Sequence, residues 1–171
     1  MPYTSEKEMY PDITAWLTTF LMGRFSSEKV IVRDGSRTPL KRILQDENLN
    51  PINKPEWLTF DILVDICGFI IQKDKIEFAF IECKNKPISL LDVSQLLGYS
   101  KVALPIFSCI LSPFGMSADV ARLLVTYNRQ DILEYRQDKG KQAQSIFIAT
   151  WLKEQQQIDF GTIIPSGKKL I

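Results

Sequence analysis

The sequence predicts an α/β fold built on a central mixed β-sheet flanked by helices. Three observations carry this. Segments 59 to 71 and 76 to 84 are rich in Ile, Val and Phe and are parted only by Gln72-Lys73-Asp74-Lys75, the pattern of a β-hairpin. Between the second of these strands and another apolar run, Ile106 to Leu111, stands a stretch with helical spacing, so those two strands pair in parallel through a right-handed crossover. A further segment with helical spacing opens the chain.

Each element follows in order. Residues 4 to 22 begin with Thr4 or Ser5 ahead of acids and then place Ile13, Trp16, Leu17, Phe20 and Leu21 on one helical face, with Gly23 as the stop. Lys29 to Arg33 contains Val-Ile-Val, a short strand, and Arg37 to Gln45 reads as a brief helix or loop before a Pro/Asn-rich stretch through Pro55. After the hairpin, Ser89 to Val102 is a helix capped by Ser89 with Asp92 three residues on, its core face carrying Leu90, Val93, Leu96 and Leu97. Ser117 caps a predicted long helix to about Arg136, with Val120, Leu123, Leu124, Tyr127 and Leu133 inward. Ile146 to Trp151 is another strand, and Phe160 to Ile164 a short last one.

Composition bounds the function. With 171 residues and no linker or repeat, residues 1 to 171 are expected to form one domain. No apolar run approaches the ~18 residues that span a bilayer, so no membrane partner is expected. The opening MPYTSEKEMY has acids and no apolar stretch, which argues against a secretory signal and for a cytoplasmic protein. The three cysteines, Cys67, Cys83 and Cys109, are widely spaced and read as buried reduced thiols. The chain has no histidine, which removes Ser-His-Asp, Cys-His and His-metal chemistry together. Any catalysis must run on carboxylates, lysine or bound metal.

Such groups converge at the hairpin. Alternation along a strand puts Glu82 and Lys84 on one face and Cys83 on the other. If the turn centres between Lys73 and Asp74, Asp65 falls directly opposite Glu82, with Cβ atoms ~4.5 to 5.5 Å apart. Two carboxylates so close resist joint ionisation unless a cation compensates. Hard oxygen ligands without imidazole or thiolate favour Mg2+ or Mn2+ over zinc. Asp61 shares a face with Asp65 and rivals it as a ligand; the hairpin register favours Asp65. The apolar strand Phe78-Ala79-Phe80-Ile81 ends abruptly in Glu-Cys-Lys-Asn-Lys, where a site at a strand mouth belongs.

Asp65-Ile-Cys-Gly, a hairpin and then FAFIECKN at 78 to 85 together resemble the signature of the PD-(D/E)xK, restriction-endonuclease-like nucleases. Gln95 and Tyr99, in SQLLGY, resemble the QxxxY motif of the RecB-like and lambda-exonuclease-like branches. The element order resembles the family's αβββαβ core over roughly residues 4 to 111, leaving an extra C-terminal helix and strands. No proline precedes the aspartate, a departure from the pattern. The resemblance implies Asp65 and Glu82 as metal ligands, with the Cys83 carbonyl as a third; Asp61 is left as an extra ligand or a solvated strand end. It implies that Lys84 handles the attacking water or the transition-state charge. It further implies that Glu8, in the first helix, binds the metal or its water, and that Gln95 holds Glu8, Lys84 or a phosphate. An acid in a first helical turn also simply stabilises the helix dipole. With only three scattered cysteines, no iron-sulfur cluster is expected.

The implied activity is Mg2+- or Mn2+-dependent hydrolysis of DNA by an endonuclease. A homodimer or larger homo-oligomer is one expected assembly, because one site cuts one strand. The alternative is a nuclease-fold protein that binds nucleic acid or a partner without cutting. For DNA contact the basic island from Arg24 to Arg42 stands out, above all Arg33, Arg37, Lys41 and Arg42, joined by Lys86 and Tyr99 near the site. Arg122, Arg129 and Arg136 recur every seven residues and are expected to form a stripe on the long helix.

Overall fold

In the structure, a computed structural model describing residues 3–73, 75–140 and 143–171, the chain opens with a 3-10 turn, Glu6–Glu8, before helix α1, Tyr10–Arg24. Helix formation from Thr4 was expected, but Pro11 lacks an amide hydrogen and fits only a first turn, which delays the α-helix to Tyr10. Tyr10, Ile13, Leu17 and Leu21 form its buried stripe, and Trp16 and Phe20 pack at the margin. The helix passes through Gly23 and stops one residue later, at Arg24.

Strand β1 (Lys29–Asp34) pairs antiparallel with β2 (Ile66–Gln72), the two separated in sequence by helix α2 (Leu40–Asp46) and a 3-10 turn, Pro55–Thr59. β2 and β3 (Lys75–Cys83) form the predicted hairpin, in register from Gln72 opposite Lys75 to Ile66 opposite Ile81. Asp74, at the centre of the predicted turn, lies outside the described residues. The N-terminal part of the predicted first hairpin strand, 59 to 65, leaves the ladder and runs as a connection. Helix α3 (Leu90–Ala103) carries the predicted capping box of Ser89 and Asp92 and returns the chain to β4 (Phe107–Ser112), parallel to β3. Its buried residues include Val93, Leu96, Ser100 and Ala103, whereas Leu90 is exposed in the first turn.

Beyond β4 the expected long helix breaks up. Helix α4 covers only Ala118–Ala121, a π-turn follows at Arg122–Thr126, and Asn128 takes a left-handed φ of 53° before a 3-10 turn, Gln130–Leu133. Asn tolerates that conformation, and Thr126 and Tyr127 before it are weak helix formers. Tyr127, expected inward, is exposed. The predicted arginine stripe therefore does not exist: Arg122, Arg129 and Arg136 pair locally with Asp119, Asp131 and Asp138. Strands β5 (Glu134–Arg136) and β6 (Gln144–Ser145) make a separate small sheet. β7 (Phe147–Leu152) joins β4 in parallel, and β8 (Gln157–Ile158) closes the edge. The predicted last strand is instead a 3-10 turn at Phe160–Thr162, because the Asp159 side chain accepts the Gly161 amide and folds the chain back. Only Ile164 reaches the sheet, as an isolated bridge to Ile148.

The fold is thus α/β, a mixed six-stranded sheet ordered β1-β2-β3-β4-β7-β8 with helices on both faces. One core lies between the sheet and α1, through Val32, Ile66, Ile81 and Leu111. The other lies beneath α2, α3 and α4, through Phe69, Phe78, Phe80 and Ile110. Gly68 lets α1 approach: a Cβ there would sit 2.7 Å from a Leu21 methyl. Among the described residues, no helix is long and apolar enough to cross a membrane.

Candidate functional site

Because β2 and β3 keep their register to Ile66 and Ile81, the next position outward sets Asp65 opposite Glu82, at the point where the ladder stops. Asp65 replaces the missing backbone pairing with its side chain: Oδ2 accepts the Cys83 amide at 2.8 Å. Its other oxygen, Oδ1, accepts the Tyr10 hydroxyl at 2.8 Å from the first turn of α1. Hairpin and helix, 55 residues apart at Tyr10 and Asp65, thereby fix one carboxylate. The Cys83 N–H and C=O leave a strand on the same side, so the Cys83 carbonyl faces Asp65 as well.

Glu82 is only 3% exposed, with Phe80 preceding it on the same face of β3. Its Oε1 accepts Lys84 Nζ at 2.8 Å and Gln95 Nε2 at 3.4 Å. Its Oε2 is buried without a hydrogen-bond partner among the described residues. Burial, then the charge of Asp65, raises the Glu82 carboxyl to about 7, against the opposing pull of Lys84. Burial alone would lower Lys84, but Glu82, Asp65 and Glu6 outweigh it and hold the ammonium above the ordinary lysine range. The pair therefore meets solvent as a firmly protonated lysine beside a reluctant carboxylate.

Glu6 completes this cluster, its Oε2 lying 3.3 Å from Lys84 Nζ. The acid expected there was Glu8. Glu8 turns outward, is exposed, and accepts the Thr4 amide at 2.9 Å and the Thr4 hydroxyl, which together lower its pKa. Glu8, which the resemblance set on the first helix, instead ends a 3-10 turn at residues 6 to 8 that precedes it. Asp61, the rival ligand, is exposed and paired with Lys41 Nζ at 2.6 Å, while Asp65 holds the position at the hairpin. Gln95 reaches the site from α3; Tyr99, one turn later, is half-buried and packs against the α3-side core. Lys86 lies outside the cluster, 3.7 Å from the capping carboxylate of Asp92.

The basic island divides. Arg33 binds Glu47 at 2.5 Å, Lys41 binds Asp61, and Arg42 binds Asp46 one helical turn away at 2.9 Å. Arg37 has no ion-pair partner among the described residues. Tyr10 and Glu6 were missed in the sequence, since nothing in their spacing sets them apart from a core aromatic and a solvated acid. Cys67, Cys83 and Cys109 are buried free thiols, all raised by burial.

The arrangement fits a small hard cation in one respect above all: the unpartnered Glu82 Oε2 is an acceptor with nothing to accept from. Asp65 and the Cys83 carbonyl would add oxygen donors of the same kind. Among the described residues, no group of three or more cysteine, aspartate or glutamate side chains is gathered for a metal, so water would have to complete any coordination sphere. Comparison with known proteins gave no matching family model, no matching curated protein and no matching solved structure.

Proposed function

We propose that the chain is a divalent-metal-dependent DNA endonuclease of the PD-(D/E)xK superfamily, with a restriction-endonuclease-like core, hydrolysing phosphodiester bonds at Asp65, Glu82 and Lys84. The observation that carries the reading is the buried, unpartnered Glu82 Oε2 beside Asp65. Asp65, Glu82 and the Cys83 carbonyl would hold Mg2+ or Mn2+, ions that accept oxygen donors and retain waters. When bound, such an ion supplies a polarised phosphoryl oxygen and a water of lowered pKa.

The protein's own groups do the rest. Lys84, 12% exposed and firmly protonated, offers a proton donor to an anionic oxygen of the scissile phosphate or to the attacking water. Gln95 and Lys84 hold Glu82 Oε1, so that Oε2 is the oxygen left for a ligand. Tyr10 and the Cys83 amide fix both oxygens of Asp65 in one orientation. Glu6 keeps a second carboxylate on Lys84, which would hold the lysine in place if Glu82 turned toward a cation.

A second reading, a nuclease-fold protein that binds nucleic acid or serves an assembly without cutting, is favoured by the absence of a third metal-ligating side chain among the described residues. One assay separates the two. Supercoiled plasmid, branched DNA and single strands are incubated with the protein in Mg2+ or Mn2+, beside Glu82→Ala and Lys84→Ala. The endonuclease reading expects nicking that falls about a hundredfold or more in either variant. Absence of cutting in every metal, or equal cutting by the variants, overturns it.

A further inference from the structure

A cleft of about 690 Å³ runs between the first turns of α1 and the segment Val32 to Thr38, where β1 leaves the edge of the sheet. Tyr10 forms part of its wall, and the hydroxyl of the same Tyr10 is bonded to Asp65. The cleft therefore abuts the acid cluster across one side chain. Its lining carries Lys7 and Arg37, and neither has an ion-pair partner among the described residues. Thr14 and Ser36 add hydroxyl-bearing side chains to the same lining. The one acid on the lining, Asp34, already accepts the Ser36 amide at 2.9 Å, and Arg33 is held by Glu47.

Unengaged cations with neutral hydroxyl donors, set on a concave surface, match the oxygens of a phosphodiester backbone rather than base edges. We propose that this cleft holds one strand of nucleic acid by its phosphates, with Lys7 and Arg37 as principal contacts, and feeds that strand past Tyr10 to Asp65. The identity of the occupant rests on the nuclease reading. The strand path thus follows the α1 side of the β1 edge, and Lys41 and Arg42 of α2, bound to Asp61 and Asp46, lie off it.

The test is binding without cleavage. A fluorescein-labelled single-stranded 20-mer is titrated into the protein in chelator, and anisotropy is followed over a salt series. Wild type is compared with Lys7→Ala/Arg37→Ala, with Thr14→Glu, which sets a carboxylate inside the cleft, and with Arg122→Ala/Arg129→Ala on the α4 side. We expect the first two variants to bind at least about tenfold more weakly, and the Lys7/Arg37 pair to lower the slope of log Kd against log salt by about 1.4, two phosphate contacts on a single strand. The α4-side variant should match wild type, and a mononucleotide should not compete at concentrations where unlabelled 20-mer does. Equal binding by all variants, equal loss in all of them, or full competition by the mononucleotide overturns the proposal. Loss of binding in the cleft variants with no plasmid cutting by wild type would leave the cleft standing and remove the nuclease reading; cutting with unaffected binding would do the reverse.

Discussion

Replacing Glu82 by Gln changes the pH dependence of folding in a direction fixed by its surroundings. The carboxyl titrates near 4.5 when free and near 7 in the folded protein, because burial and Asp65 both oppose its charge. Well below pH 4.5 it is protonated in both states, and its contribution to stability is fully present. Between 4.5 and 7 the unfolded chain ionises freely while the folded chain holds the proton, so stability is lost as pH rises through the folded value. At ~1.4 kcal/mol per pH unit, that interval corresponds to about 3 kcal/mol. Glu82→Gln has no proton to release, and the loss should vanish. Urea unfolding in chelator from pH 4.5 to 8.5, followed by fluorescence of the buried Trp57 and Trp151, measures both proteins. The difference between wild type and variant should change by about 3 kcal/mol across this range, in favour of the variant at high pH. Parallel stability curves would refute the argument that Glu82 is a buried, repelled carboxylate.

Two further predictions follow from the same contacts. Tyr10→Phe removes the hydroxyl from Asp65 Oδ1 and should cost roughly 1 to 3 kcal/mol in urea unfolding at pH 7, since the lost bond is to a charged group; an unchanged midpoint would mean that the bond does not form in solution. Glu6→Ala should alter plasmid nicking through Lys84, whereas Glu8→Ala should leave nicking unchanged, because Glu8 is exposed and turned to Thr4 at the surface; the opposite ranking would return Glu8 to the site.

Much of the site was legible because it rests on strand geometry. Alternation put Glu82 and Lys84 together, and a turn centred on Lys73 and Asp74 fixed the register that sets Asp65 opposite Glu82. The capping box of α3 was equally plain, since Ser89 and Asp92 act within three residues of one another. What escaped depends on contacts distant in sequence or on irregular backbone. Tyr10 meets Asp65 only after α1 packs on the sheet, and Glu6 replaces Glu8 because a 3-10 turn precedes Pro11. The single long helix after Ser117 was predicted from apolar spacing that continued past Asn128, where a left-handed residue ends the helical run. The basic island was visible as composition, but which of its cations stay unpaired depends in part on Glu47 and Asp61, which only the fold brings to Arg33 and Lys41.

The central claim, a divalent ion held by Asp65 and Glu82, is tested most directly by titrating Mn2+ into the protein at pH 8 and following free Mn2+ by electron paramagnetic resonance. Wild type and Asp61→Asn should each take up one tightly held ion, and Asp65→Asn and Glu82→Gln should take up none at the same concentrations. Uptake unchanged in Asp65→Asn and Glu82→Gln, or absent in wild type, would contradict the account.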